Sequence, residues 1–195
     1  MLENKKAKLL NSKAAMDESK AGEVVSSLHI EKGQKVADIG SGGGYFSLLL
    51  AEAAGPKGKV YIVDTDQKLL DFASALAKEN GVKNIVPVLA QEDSPNLPEN
   101  GVDLIFMRSV CHHLKGRKEY FSRLRRFLAP GGKIALIDYR RGPFLAFRWL
   151  RGHYVEESVI KKEMWDAGFH LEESFDFISR QWFMVFSPVS SIKSP

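Results

Sequence analysis

Apolar residues recur along this chain in two rhythms. Short apolar runs bounded by Gly, Pro, Asn or Asp read as buried strands at 35–39, 59–63, 85–89, 102–107, 133–138, 171–178 and 181–187. Between them, apolar positions spaced three and four apart read as amphipathic helices at 21–29, 46–54, 67–80, 117–128 and 155–167. Strands alternating with helices predict an α/β fold, a doubly wound, mostly parallel seven-stranded sheet with helices on both faces. Only a short turn separates the last two strands, too little for a parallel crossover, so the C-terminal strand is expected to be antiparallel.

The sharpest local signal is Asp38-Ile39-Gly40-Ser41-Gly42-Gly43-Gly44, which follows the apolar Val36-Ala37 and precedes Tyr45-Phe46-Ser47-Leu48-Leu49-Leu50-Ala51. An acid, glycines at every second position and an apolar helical run describe a strand, a tight turn and a helix N-terminus, where exposed N–H groups and the helix dipole suit an anion. A dinucleotide fingerprint needs G-x-G-x-x-G; counted from Gly40, its third glycine would fall on Tyr45. The pattern here is D-x-G-x-G-x-G, which resembles motif I of class I methyltransferases that use S-adenosyl-L-methionine (SAM). The resemblance implies that Asp38, Gly40, Ser41, Gly42 and Gly44 cradle the methionine end of SAM. A Cβ at Gly40 or Gly42 is expected to block its close approach.

Further stations follow in order. The second strand ends in Asp64-Thr65-Asp66, and Asp64 falls 20 residues after Gly44, where this kind of sheet brings a carboxylate beside a ribose. That reading of Asp64 and Thr65 serves NAD as well as SAM. After the third strand comes Gln91-Glu92-Asp93-Ser94-Pro95-Asn96-Leu97-Pro98. The resemblance places Asp93 on the adenine amino group and the Ser94 N–H on a ring nitrogen, with Glu92 a competitor and a solvated acidic loop the plain reading. The fourth strand runs into Arg108-Ser109-Val110-Cys111-His112-His113-Leu114, similar to the family's segment ending in His-His-Leu. The family sets the positions of Met107 and Arg108 against the methionine moiety. Arg108 departs from the small or polar residue usual there, and either clamps the SAM carboxylate or points away. Leu128-Ala129-Pro130-Gly131-Gly132 resembles the family's L-x-P-G-G turn, and Ala167-Gly168-Phe169 the A-G-F ending of its last helix. With stations from about Val24 to Pro188, the chain resembles class I SAM-dependent methyltransferases of the type 11/25-like domain.

Bulk properties narrow the setting. The 195 residues suit one domain, 1–195, with 1–23 expected to fold over the SAM site as a cap. Met1 to Lys20 is polar and carries five lysines, without the apolar core of about 7–15 residues that a secretory signal needs. No apolar run approaches the roughly 18 residues of a membrane span. The single cysteine, Cys111, excludes an internal disulfide and fits a reducing cytoplasm. It reads as buried packing more readily than as a reactive thiol, and one cysteine argues against arsenite methylation. Residues 1–100 carry a net −2 and residues 101–195 a net +6, which gives +4 overall. The basic half suits an acidic acceptor or nucleic acid, or is a solvated face.

Methyl transfer from a sulfonium is an in-line displacement with a good leaving group, so the protein aligns the acceptor and excludes water. A base is needed only for a protonated acceptor. Candidates sit at the carboxyl ends of the strands: His112 and His113 after the fourth, Asp138 and Tyr139 after the fifth, and His153 beyond them. His29 and His170 sit at element ends away from the crevice. The connection 139–154 is expected as an acceptor-site lid, with Phe144, Phe147, Trp149 and Leu150 lining an apolar site and Arg140, Arg141, Arg148 and Arg151 meeting anions. The plain alternative is a packed amphipathic helix with solvated arginines. No metal is expected. A small-molecule acceptor leads; an RNA or protein substrate is the alternative, as is a SAM- or NAD-binding module without transfer activity. The segment after the fourth strand lacks the Asn- or Asp-Pro-Pro-Tyr motif of amide-nitrogen methylation, and the chain has no Pro-Cys pair for cytosine C5 chemistry.

Overall fold

The computed structural model describes residues 4–141 and 153–189. Its sheet contains β1 (Lys35–Ile39), β2 (Lys59–Asp64), β3 (Ile85–Leu89), β4 (Val102–Arg108), β5 (Leu128–Tyr139), β6 (Phe169–Phe175) and β7 (Gln181–Pro188), in the order β3-β2-β1-β4-β5-β7-β6. The first five strands pair in parallel, while β7 runs antiparallel to both β5 and β6. The architecture expected from the alternation of elements is the one observed.

The helices are α1 (Lys5–Ala14), α2 (Ala21–Ser27), α3 (Tyr45–Ala54), α4 (Gln67–Glu79), α5 (Arg117–Leu124) and α6 (Glu157–Asp166). Two apolar layers enclose the sheet, and strand alternation decides which residue joins which. Ala37, Ile105, Met107, Ile134, Leu136, Trp182 and Met184 face the layer that holds Phe121 and Leu124 of α5 and Ile160 and Met164 of α6. Their neighbours Val36, Leu104, Phe106, Ala135, Ile137, Phe183 and Val185 face Val24, Phe46, Leu50 and Leu70 on α2, α3 and α4. Burial on both faces is why these strands read as continuous apolar runs.

Several boundaries differ from the sequence reading, among them the start of β5, which lies at Leu128 and not at 133. The helix expected over 117–128 stops at Leu124 and tightens into a 3-10 turn, Arg125–Phe127, before β5. The strand expected to reach Ile178 ends at Phe175, because Ile178 turns into the second apolar layer instead of continuing the ladder. The polar segment before α2 contains α1, whose N-cap Asn4 accepts from the Ala7 N–H at 3.0 Å. Among the described residues, no helix is long and apolar enough to cross a membrane.

The strand order reverses direction between β1 and β4, and a crevice opens there at the carboxyl ends of the parallel strands. Because β7 runs the other way, its first residue, Gln181, arrives at that same end.

Candidate functional site

The turn after β1 is an elbow of left-handed residues. Gly40, Gly42 and Gly44 have φ of +76°, +55° and +85°, a region that side chains other than glycine adopt at a cost. The sequence reading had a Cβ at Gly40 or Gly42 obstructing the ligand. A Cβ would also meet the protein itself: on Gly40 it would lie 2.3 Å from Cγ2 of Val110, and on Gly42 3.2 Å from Cδ1 of Leu10. The N–H groups of Gly40 and Ser41 both donate to the Val63 carbonyl, at 2.7 and 3.1 Å.

Side chains from distant elements brace this elbow. Asn11 of α1 donates from Nδ2 to the Gly43 carbonyl at 2.8 Å, and its Oδ1 accepts from the Tyr45 N–H at 3.2 Å. Asn11 therefore caps α3, whose own N-cap, Gly44, offers no side chain. Asp64 accepts from the Gly42 N–H at 3.0 Å and, through its other oxygen, from Asp66 N–H at 3.0 Å. Helix α1 is tied to α4 by Lys6 to Asp66 at 3.0 Å and by Asn4 Nδ2 to the Lys68 carbonyl at 3.2 Å.

The cleft over the elbow is lined by Asp38, Gly40, Ser41, Gly42, Phe46, Arg108, Ser109 and Tyr139, with Leu10, Asn11 and Lys13 from α1. Arg108 is stretched across its floor. Its Nε and Nη2 donate to Gln181 Oε1 at 3.2 and 2.7 Å, and its guanidinium lies 4.6 Å from the centroid of Phe46. Burial holds Arg108 down to about 10, so it remains a cation at neutral pH. Gln181 also donates to Ser109 Oγ at 3.0 Å, fixing a residue whose φ is +56°. Two buried side-chain polar atoms in this cleft, Ser41 Oγ and Arg108 Nη1, have no hydrogen-bond partner among the described residues. Buried polar groups are rarely left so, and a donor pair beside a helix N-terminus fits the carboxylate of an amino acid.

Asp38 lies at the back of the cleft, 3% exposed, and accepts from Ser47 Oγ at 2.6 Å. Burial pushes its carboxyl up to about 7; the Ser47 hydroxyl pulls it down, and the nearby Asp64 adds to the rise. The other expected cofactor residues stand apart from this cleft. Thr65 is exposed after β2, and Asp93 is exposed on the tight turn closed by Gln91 N–H to the Ser94 carbonyl at 2.8 Å. Met107, expected beside the methionine moiety, is fully buried in the sheet's apolar layer.

The acceptor-side candidates converge. His112 and His113 occupy a 3-10 turn, Cys111–His113, after β4, and His153 lies against both. Ring centroids are 4.0 Å apart for His112 and His113, 5.2 Å for His112 and His153, and 5.4 Å for His113 and His153. Burial, followed by its two histidine neighbours, holds His113 below the usual imidazole range and favours the neutral ring. Asp138 is fully buried and accepts three donors: His112 Nδ1 and the Tyr139 N–H on one oxygen, both at 2.7 Å, and the His112 N–H on the other at 3.1 Å. As a candidate base Asp138 is thus already engaged in holding the turn. Cys111 is fully buried, and burial pushes its thiol well up.

Arg140, expected to meet anions, is ion-paired to Glu157 and donates to the Gln181 carbonyl at 3.3 Å. Phe144, Phe147, Arg148, Trp149, Leu150 and Arg151 lie outside the described residues. His29 and His170 are exposed; His170 is near the start of β6, at the opposite end of the sheet from the crevice. Sequence reasoning missed Asn11 and Gln181. Neither belongs to a local pattern, since their partners lie 32 and 73 residues away.

Residues 30–183 match the sequence family described as "Methyltransferase domain". The chain is 28% identical over 127 residues to demethylmenaquinone methyltransferase of Anoxybacillus flavithermus, covering 63% of this chain and 52% of that one. It is 30% identical over 155 residues to phosphoethanolamine N-methyltransferase 1 of Arabidopsis thaliana, covering 75% of this chain and 31% of the other. The chain thus spans about half or less of the length of these relatives. In three dimensions it is similar to a SAM-dependent methyltransferase from Aquifex aeolicus, with a TM-score of 0.84, 23% identity, and coverage of 92% of this chain and 95% of that one. A glycine elbow at the reversal of a seven-stranded sheet, and a family match over most of the length, place this chain among the class I methyltransferases, whose methyl donor is SAM.

Proposed function

We propose that the chain transfers the sulfonium methyl of SAM to a small-molecule acceptor seated between the glycine elbow and the histidine cluster. The observation that carries the donor half is the pair of buried atoms Ser41 Oγ and Arg108 Nη1 in the cleft over the elbow, without a partner among the described residues. In this reading Arg108 and the α3 N-terminus hold the methionine carboxylate, and Asp38 faces its ammonium. Asp64 and Thr65 serve the ribose, and Asp93 with the Ser94 N–H serves the adenine. Asp64 keeps a lone pair on each oxygen for the ribose while bracing Gly42. The relatives named above carry small acceptors in their names, which supports a small acceptor here.

SAM supplies an already activated methyl group. The chain's own residues bind, orient and exclude water, and a neutral imidazole among His112, His113 and His153 takes the acceptor's proton where it has one. An RNA or protein acceptor is the second reading, favoured by the +6 charge of residues 101–195. The buried, unpaired Cys111 suits a reducing compartment such as the cytoplasm. Calorimetric titration with SAM and with NAD tests the donor half: SAM is expected to bind and NAD not, and the reverse outcome overturns the reading. Incubation with metabolite extracts and methyl-labelled SAM identifies the acceptor; label appearing only in RNA or protein would replace the small-molecule reading with the second.

A further inference from the structure

We propose that His112, His113 and His153 form a binding site for a divalent transition-metal ion such as Zn²⁺, with Asp138 as its outer partner. One ring nitrogen from each histidine lies within 4.8 Å of those of the other two. A tetrahedral ion with metal–nitrogen bonds of about 2.0–2.1 Å sets its ligand nitrogens about 3.3 Å apart. The site closes on an ion by a contraction of roughly 1.5 Å or less, a side-chain rotation for His113, which is exposed at the end of its turn.

Asp138 supplies the second, independent observation. A ligating histidine characteristically gives its other ring N–H to a carboxylate, which fixes the tautomer and makes the free nitrogen a better donor. His112 Nδ1 is 2.7 Å from the buried Asp138 Oδ1, and the backbone N–H groups of His112 and Tyr139 hold that carboxylate in place. The lone pair on His112 Nε2 is thereby directed away from Asp138. Three imidazoles with no carboxylate among them suit Zn²⁺, Ni²⁺ or Cu²⁺ over Mg²⁺ or Ca²⁺. Three protein ligands also leave the fourth position open, as catalytic zinc sites do.

The cluster adjoins the donor cleft, because the His112 ring lies 6.2 Å from the ring of Tyr139, which lines it. The open position suits the hydroxyl or phenolic oxygen of an acceptor. With the three imidazoles engaged as ligands, the ion replaces the imidazole base: it lowers that oxygen's pKa so that its proton passes to water. The oxygen–carbon bond then forms as the carbon–sulfur bond of the sulfonium breaks, and the bonding pair stays on sulfur as a neutral thioether. This last step rests on the methyltransferase reading; binding of the ion does not.

The full chain, stripped of metal with a chelator, is titrated with Zn²⁺ and with Co²⁺, whose visible absorption reports tetrahedral nitrogen coordination. One equivalent is expected to bind. Asp138→Asn is expected to weaken binding by about 10- to 100-fold, and His113→Ala or His153→Ala by more. Circular dichroism and a SAM titration of each variant check the fold and the donor cleft separately. Two results overturn the site: native chain that binds Zn²⁺ no more tightly than the His113→Ala/His153→Ala double variant, or tight binding that survives in that variant. SAM binding without Zn²⁺ binding rejects the metal site alone; Zn²⁺ binding without SAM binding rejects the donor reading alone.

Discussion

The donor and acceptor sides of the cleft each bury one carboxylate, and treat it in opposite ways. On the acceptor side Asp138 accepts three N–H donors and organises a turn of histidines around itself. On the donor side Asp38 has, among the described residues, only the Ser47 hydroxyl as a side-chain donor and lies near the like charge of Asp64. A buried carboxylate with three donors is a finished structural part. One with a single donor is a cost to the fold that a cationic ligand would offset. The same contrast runs through the neighbouring groups: the elbow offers backbone held by side chains, while the histidine turn offers side chains held by a carboxylate.

The largest expected effect follows from Asp38. Its carboxyl titrates near 7 in the folded chain against 3.8 as a free group. The folded state therefore binds the proton more tightly, and the contribution to stability is full below about pH 3.8 and is lost as the pH rises to about 7. A three-unit shift corresponds to about 4 kcal/mol. Part of that contribution is already gone at pH 5, so denaturant titrations at pH 5 and pH 8 should show a loss of about 2–3 kcal/mol in the native chain and a smaller one in Asp38→Asn; equal losses in both would remove Asp38 from the comparison.

Next in size is Asp64→Ala, which loses a charged acceptor on Gly42 and is expected to weaken SAM binding by about 1–3 kcal/mol. An unchanged titration would reject Asp64 as a donor-side residue. Asn11→Ala uncaps α3 and frees the Gly43 carbonyl, and a fall in unfolding free energy of about 0.5–2 kcal/mol is expected. Smallest is His153→Ala, for which SAM affinity should stay within about two-fold while turnover on an identified acceptor falls. Weakened SAM binding there would show that the two sides are not separable.

The elbow was legible in the sequence because a positive φ demands glycine and a helix start demands an exposed N-terminus, and both lie within the span Asp38 to Tyr45. The sheet was legible for a similar reason, since two-sided burial writes itself as apolar runs. Helix α1 was not, because its face toward the elbow is made by Ala7, Leu10 and Asn11 among lysines, and only Ala7 is buried. The meeting of His153 with His112 and His113 was not legible either: the 39 residues between His113 and His153 include β5 and the connection after it, and only the fold closes that gap. Gln181 carried no signal of its own, because its role depends on a strand that enters the sheet in reverse.

That reversed strand ties two distant parts of the chain together. Arg108 and the amide that orients it lie 73 residues apart, and Gln181 reaches the arginine because β7 pairs antiparallel with β5. Whatever loosens the hairpin of β6 and β7 from β5 therefore also unlatches the guanidinium in the cleft.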